Sequence, residues 1–149
     1  MTIFSTLEDS KNKLLPYFDL PETELNKTYA LGKWTVKELL NHIVDAETVL
    51  YDRIRRAIAE QPRPVIWAFR QDDWCKKLDY KTFPLEINKN IFVAVRAAVQ
   101  HLASQHYEIH GDNPFIHSET GLRTLRDEFD KIVWHCEHHL RQIEQALKS

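Results

Sequence analysis

Apolar residues in this chain recur at helical spacing over four segments, and the three longest of these contain neither proline nor glycine. Proline interrupts helices and glycine commonly follows their ends, so these uninterrupted windows are typical of long helices. No segment of useful length alternates between apolar and polar residues as a half-buried strand does. The predicted helices are 3–15, 35–60, 85–108 and 122–147.

The apolar positions predict which face of each helix is buried. The second helix begins with Thr35 and Glu38 at the spacing of a capping box. Its predicted core positions are Leu39, Leu40, Ile43, Val44 and Leu50. Those of the third helix are Ile87, Ile91, Ala94, Ala98 and Leu102. Those of the last helix are Leu125, Phe129, Ile132, Cys136, His139, Ile143 and Ala146. The pattern predicts an all-α, antiparallel (up-down) four-helix bundle, with residues 1–149 as one domain.

The connection over residues 61–84 is long and rich in proline and aromatic residues. Connections of this length in compact domains are often functional. Trp67, Phe69 and Trp74 are unusual in a solvated linker. We therefore expect this connection to pack over one end of the bundle.

Composition excludes several classes of protein. The chain has 149 residues, 43% of them hydrophobic, and a net charge of −2, which argues against a general nucleic-acid binder. No apolar run is long enough to cross a bilayer, and the N-terminus lacks the pattern of a signal peptide. The basic cluster Arg53, Arg55 and Arg56 is expected to complement a helix dipole and remain solvated. Two distant cysteines, Cys75 and Cys136, favour a reducing cytoplasm over a disulfide framework.

His135 and His139 are the most informative residues for chemistry. They lie four residues apart in a predicted helix, so both side chains project from one face and can bind one metal ion. A third histidine, His42, lies within the second helix. Three histidines from two helices would leave a coordination position open, as in a reactive metal site.

Other interpretations of these histidines have to be weighed. A single buried histidine is more often a core residue than a ligand. His138 could replace His139, although the helix face favours His139. His106 and His110 have the same spacing but precede Gly111 at a helix end, where histidine commonly interacts with the carboxyl dipole. A di-iron carboxylate bundle is excluded, because no glutamate is followed three residues later by histidine. Cys136 fits a core position better than a ligand position.

Two carboxylates lie near His42 along the second helix. Glu38 is one turn before it and Asp45 is almost one turn after it. Either residue could orient an imidazole as a hydrogen-bond acceptor, or accept a proton during catalysis. Both could equally be ordinary carboxylates of a helix surface.

These segments resemble a known family. The stretch W-T-V-K-E-L-L-N-H-I-V-D-A-E, followed by Y-D-R-I-R-R, resembles the second helix of the DinB/YfiT-like superfamily, and W-H-C-E-H-H-L-R-Q-I resembles its last helix. The resemblance implies an up-down four-helix bundle in which three histidines bind a divalent metal (zinc, nickel or iron). Carried over residue by residue, the ligands are His42, His135 and His139. Members are commonly homodimers.

The resemblance leaves the reaction open. Members include S-transferases that use low-molecular-weight thiols such as bacillithiol or mycothiol, a glutathione transferase, a maleylpyruvate isomerase and provisionally assigned hydrolases. The first hypothesis is therefore a metal-dependent enzyme acting on a small molecule, with thiol S-transfer ahead of hydrolysis. The alternatives are a stress-associated metal-binding or interaction protein without turnover, and a bundle whose histidines form only a buried polar network.

Overall fold

Four long helices form the body of the protein. The structure, a computed structural model, describes all residues from 1 to 149. The helices are α1 (Ile3–Leu14), α2 (Glu22–Leu25), α3 (Val36–Ala59), α4 (Gln71–Lys77), α5 (Leu85–His106) and α6 (Leu125–Leu147). The predicted all-α four-helix bundle is confirmed, with α1, α3, α5 and α6 as its long helices. None of these helices has the length and apolar character needed to cross a membrane.

Capping residues define where the two site-bearing helices begin. Thr35 accepts a hydrogen bond from the backbone N–H of Glu38, and the Glu38 carboxylate accepts one from the backbone of Thr35. Thr124 and Asp127 form the same reciprocal pair at the start of α6. Each pair satisfies two backbone donors that a helix start leaves without partners. The predicted capping box of α3 is confirmed.

The helix directions follow from the contacts between helices. Asn41 and Glu47 of α3 bond Asn88 and Arg96 of α5, in the same order along both helices, so α3 and α5 run parallel. At the other contact of α3, Asn113, just before α6, donates to the carbonyl of Ala57 near the end of α3, so α3 and α6 are antiparallel. The core likewise groups the start of α1 with the start of α6. The directions of α1, α3, α5 and α6 are therefore up, down, down, up.

The expected alternation of direction holds from α1 to α3 and from α5 to α6, but not from α3 to α5. An α3 of 24 residues is about 36 Å long. The connection over 60–84 runs back along the bundle, so α5 starts at the same end as α3. It lies along the side of the bundle rather than over one end as expected.

A small sheet accompanies the helices, although the sequence analysis predicted none. Strands β1 (Val65–Ile66), β2 (Pro114–His117) and β3 (Gly121–Thr124) pair in that order, β1 parallel and β3 antiparallel to β2. Strands of two to four residues are too short to give a detectable alternation in sequence. The sheet fastens the connection between α3 and α5 to the hairpin that precedes α6.

The predicted core positions of α3 and α6 are confirmed, whereas those of α5 are confirmed only in part, since Leu102 packs against the core. The predicted apolar positions of α3 are buried, and those of α6 are buried except for His139, which is half-buried. In α5, Ile87 and Ile91 are exposed instead. The inward face of α5 carries the polar residues Asn88 and Arg96, which bond Asn41 and Glu47. An apolar pattern therefore marked the wrong face of this helix.

A candidate metal centre between two helices

His42 lies on the inner face of α3 and is completely buried. The Trp34 ring lies 4.8 Å from the His42 ring, and the Phe69 ring stacks on the His42 ring at 6.3 Å, centroid to centroid. Trp34 precedes α3, and Phe69 comes from the connection that runs along the bundle. The two aromatic rings therefore shield this imidazole from water.

His135 and His139 project from α6 toward His42. The Nε2 atoms of His42 and His135 lie 3.0 Å apart. One ring nitrogen from each of His42, His135 and His139 lies within 4.8 Å of the others. The structure thus brings together all three residues that the sequence analysis selected.

Burial keeps these imidazoles neutral. It lowers the pKa of His42 to about 3 and that of His135 to about 2, and the neighbouring histidines add to both effects. The pKa of His139 is lowered as well, mainly by burial. A neutral imidazole has a free lone pair on one nitrogen, which is the form that binds a metal ion.

Hydrogen bonding supports the same conclusion. The Nδ1 atom of His139 lies 2.7 Å from Oε1 of Gln142, an acceptor that holds the proton on Nδ1 and leaves Nε2 free to bind an ion. The buried Nδ1 atom of His42 has no partner. Three neutral imidazoles close together fit a divalent zinc, nickel or iron ion, and as the complete protein ligand set they would leave further coordination positions open.

Glu38 and Asp45 bond other partners than the imidazole that they were expected to orient. One Glu38 oxygen accepts from the Thr35 backbone, and the other lies 3.4 Å from Sγ of Cys75. Asp45 accepts a 2.5 Å hydrogen bond from the Tyr80 hydroxyl. Neither carboxylate bonds His42, so the expected orienting hydrogen bond is absent. Glu38 instead caps the start of α3, and Asp45 instead bonds Tyr80.

The alternative histidines lie outside the cluster. His138 stacks on Trp134, with ring centroids 5.0 Å apart, and is not among the three residues whose ring nitrogens converge. His106 and His110 approach each other through their Nδ1 atoms at 2.8 Å, but they are exposed at the opposite end of the bundle. Cys136 is a buried core residue, as predicted.

Two cavities flank the three histidines. One, of about 360 Å³, is lined by Trp34, Gln71 and His139 among others. The other, of about 210 Å³, is lined by His135, Phe69 and again Gln71. The connection between α3 and α5 therefore crosses over the cluster and contributes to the walls of both cavities.

Arg53 is buried, contrary to the expectation that the whole basic cluster is solvated. Arg55 and Arg56 are exposed, but Arg53 is only 3% exposed and lines the smaller cavity together with Lys131. The burial of Arg53 was not predicted from the sequence, and neither were the positions of Lys131 and Gln142 beside the histidines. Spacing gives a signal for two of them, since Lys131 is one turn before His135 and Gln142 is one turn after His139.

Comparison with known proteins places the chain among related sequences. The family model described as the DinB superfamily matches residues 6–143. A protein of Oceanobacillus iheyensis is 30% identical over 130 residues, covering 87% of this chain and 74% of that protein. One from Halalkalibacterium halodurans is 27% identical over 128 residues, covering 86% and 74%. Both are provisionally named metal-dependent hydrolases.

Two solved structures share the fold. YfiT from Bacillus subtilis, described as a probable metal-dependent hydrolase with an unusual four-helix bundle topology, superposes with a TM-score of 0.89 at 22% identity, covering 98% of this chain and 84% of that one. A mycothiol-dependent maleylpyruvate isomerase superposes with a TM-score of 0.74 at 10% identity, covering 95% and 59%.

Proposed function

Since this chain belongs to the DinB superfamily, we propose that it is a metal-dependent enzyme, a hydrolase in which His42, His135 and His139 bind a divalent ion. The observation that carries the proposal is the convergence of three imidazoles from two helices beside two cavities, with His42 fully buried and the other two half-buried. The provisional names of the relatives support the same reaction class. The substrate is a small molecule, because the cavities are small.

The side chains around the cluster have separate tasks in this proposal. A divalent ion supplies a nucleophile near neutral pH by lowering the pKa of water or of a thiol. Gln142 holds the His139 ring with Nε2 free. Trp34 and Phe69 exclude bulk water from His42, which strengthens the electrostatic interactions at the site. Asp45 and Glu38 have no direct contact with His42 and so act at most through neighbouring groups.

Metal retention tests the site. The protein, purified without a histidine tag, is expected to contain close to one divalent ion per chain, and elemental analysis identifies it. His42→Ala should lose that ion yet keep its helicity by circular dichroism, because the apolar core holds the bundle together. His106→Ala is the matched control and should retain the ion. A His42→Ala protein that unfolds together with metal loss would indicate a structural site instead.

Thiol S-transfer is the second candidate, and the two cavities favour it. A transferase needs room for a thiol and for an electrophile, and the 360 Å³ and 210 Å³ cavities lie on either side of the same histidines. Cobalt-substituted protein distinguishes the candidates, since a thiolate ligand produces a charge-transfer absorption. Appearance of this band on adding a low-molecular-weight thiol would favour the transferase. Ester or amide hydrolysis without a thiol would favour the hydrolase, and neither activity would favour a protein without turnover.

The homodimer implied by the family resemblance is part of this proposal. Sedimentation velocity on the intact protein checks it, and we expect a species with twice the chain mass of 17.7 kDa. A single species of the chain mass at all concentrations would contradict it.

A further inference from the structure

The smaller cavity beside His135 has an unusual set of charged walls. It is lined by Arg53, Lys131 and His117 together with His135, and by the exposed Glu119. We call this cavity the basic cleft. Cationic groups so close to a candidate reactive centre suggest a ligand with negative charge.

The guanidinium group of Arg53 has fewer hydrogen-bond partners than it has donors. Its side chain is 4% exposed, and its Nη1 atom lies 3.7 Å from Oε2 of Glu128. Glu128 also pairs with Arg123, whose Nε donates to Oε1 at 3.0 Å. The Nε atom of Arg53 and the Oε2 atom of Glu128 have no hydrogen-bond partner. Buried polar groups are normally bonded, and Arg53 lines the cavity, so its guanidinium can donate to a further acceptor placed there.

His117 presents a hydrogen-bond donor of fixed orientation. Its Nδ1 atom accepts from the backbone N–H groups of Glu119 and Thr120, both at 3.1 Å. The proton of the neutral ring is therefore on Nε2. Burial lowers the pKa of His117, and the cations Arg53 and Lys131 lower it further, which keeps the ring neutral. No protein acceptor is bonded to this Nε2–H group in the structure.

Lys131 has no carboxylate partner within ion-pair distance. It is half-buried on α6, one turn before His135, on the same side of the helix. Its ammonium group is therefore held beside the histidine cluster without being neutralised. Burial lowers the pKa of Lys131; among the charged groups that face it, Glu128 raises this pKa and Arg53 and Arg123 lower it.

Charge and volume together limit the ligand. Arg53, Arg123 and Lys131 carry three positive charges, and Glu128 and Glu119 carry two negative ones, which leaves one positive charge in excess. A cavity of 210 Å³ has about the volume of seven water molecules at ~30 Å³ each, which suits a small ligand group. A small monoanionic carboxylate matches both limits.

We propose that the basic cleft binds a carboxylate group of the substrate, through Lys131, Arg53 and the Nε2–H group of His117, and so directs the rest of the molecule toward His135. As an assignment of substrate class, this inference rests on the proposed function. The binding of the carboxylate itself does not depend on a metal ion, because none of these three residues belongs to the histidine cluster.

Binding to the chelator-treated protein tests the proposal, with propionate as the probe. Propionate should shift the amide and side-chain NMR signals of the basic cleft in a saturable way, and the uncharged propionamide should not. Inorganic phosphate should bind more weakly than propionate, because one excess positive charge matches one negative charge. Lys131→Gln should weaken propionate binding about tenfold or more, and Lys131→Arg should restore most of it.

Arg141→Gln is the matched control, since it removes one positive charge from an exposed position on the same helix. It should change propionate affinity less than twofold. The proposal is overturned if propionamide binds as well as propionate, if phosphate binds more tightly, or if the Lys131→Gln and Arg141→Gln variants are weakened equally. Metal content of Lys131→Gln, expected to match the parent protein, separates a failed carboxylate site from a failed metal site.

Discussion

The protonation of individual residues should make the metal-free protein sensitive to acid. Burial holds the pKa of His42 at about 3 and that of His135 at about 2, against about 6.5 in an unfolded chain. As the pH falls below about 6.5, the unfolded state binds protons that the folded state does not, so the free energy of unfolding decreases. We expect a loss of about 1 kcal/mol per pH unit for each histidine, from about pH 6 to about pH 4.

Urea unfolding of chelator-treated protein measures this dependence. The His135→Leu variant removes one of the two groups, so its stability should fall less steeply with acid than that of the parent protein. Comparison of the two proteins cancels the contribution of the carboxylates. Parallel curves for parent and variant would contradict the assignment.

A second prediction at the residue scale concerns the buried ion pair between α5 and α3. Arg96 donates to both oxygens of Glu47 and also to the Leu7 carbonyl and the Ser10 hydroxyl of α1. Arg96→Met leaves a buried carboxylate without a partner and should cost about 3–5 kcal/mol of unfolding free energy. The double variant Arg96→Met/Glu47→Leu should recover most of that loss in urea unfolding. Equal losses of unfolding free energy in the single and double variants would contradict the expected recovery.

The histidine cluster could be predicted from sequence because its signal is local. His135 and His139 have helical spacing, and His42 lies in a helix with a clear start. The surroundings of these residues depend on contacts that sequence spacing does not encode. Asp45 bonds Tyr80, which is 35 residues away, and Glu38 meets Cys75, 37 residues away. The roles assigned to these carboxylates from proximity to His42 therefore missed their actual partners.

At the scale of single elements, the apolar pattern of α5 predicted the wrong orientation for this helix. Its apolar residues Ile87 and Ile91 are exposed, and its buried face includes Asn88 and Arg96. Hydrophobic periodicity cannot identify a buried polar residue, because its partners come from other helices. The short strands escaped prediction for a related reason, since pairing with distant segments defines them.

Neighbouring residues of α5 give a direct test of its orientation. Phe92 is fully buried, whereas Ile91 is 37% exposed. Phe92→Ala should therefore cost about 3–5 kcal/mol of unfolding free energy. Ile91→Gln should change it by about 0.5 kcal/mol or less, as surface substitutions do. Equal costs would indicate the orientation predicted from sequence. A concentration-dependent effect of Ile91→Gln would place this face in a contact between two chains.

At the scale of the whole molecule, the parallel arrangement of α3 and α5 determines how the site is covered. Two parallel neighbours require a connection that spans the bundle, and this connection contains Phe69 and Gln71, which line the cavities. The number and length of the long helices could be predicted from sequence. Their directions could not, because a connection over 60–84 is long enough to join α3 to either end of α5.

The separation of the three histidines along the chain has a consequence for biosynthesis. His42 and His135 are 93 residues apart. At about 5–20 residues per second, a ribosome needs about 5–20 s to add that interval. During this time His42 is the only one of these three histidines in the nascent polypeptide that a metal ion can bind. If the three histidines bind the ion that we propose, the complete ligand set forms only after α6 has been translated.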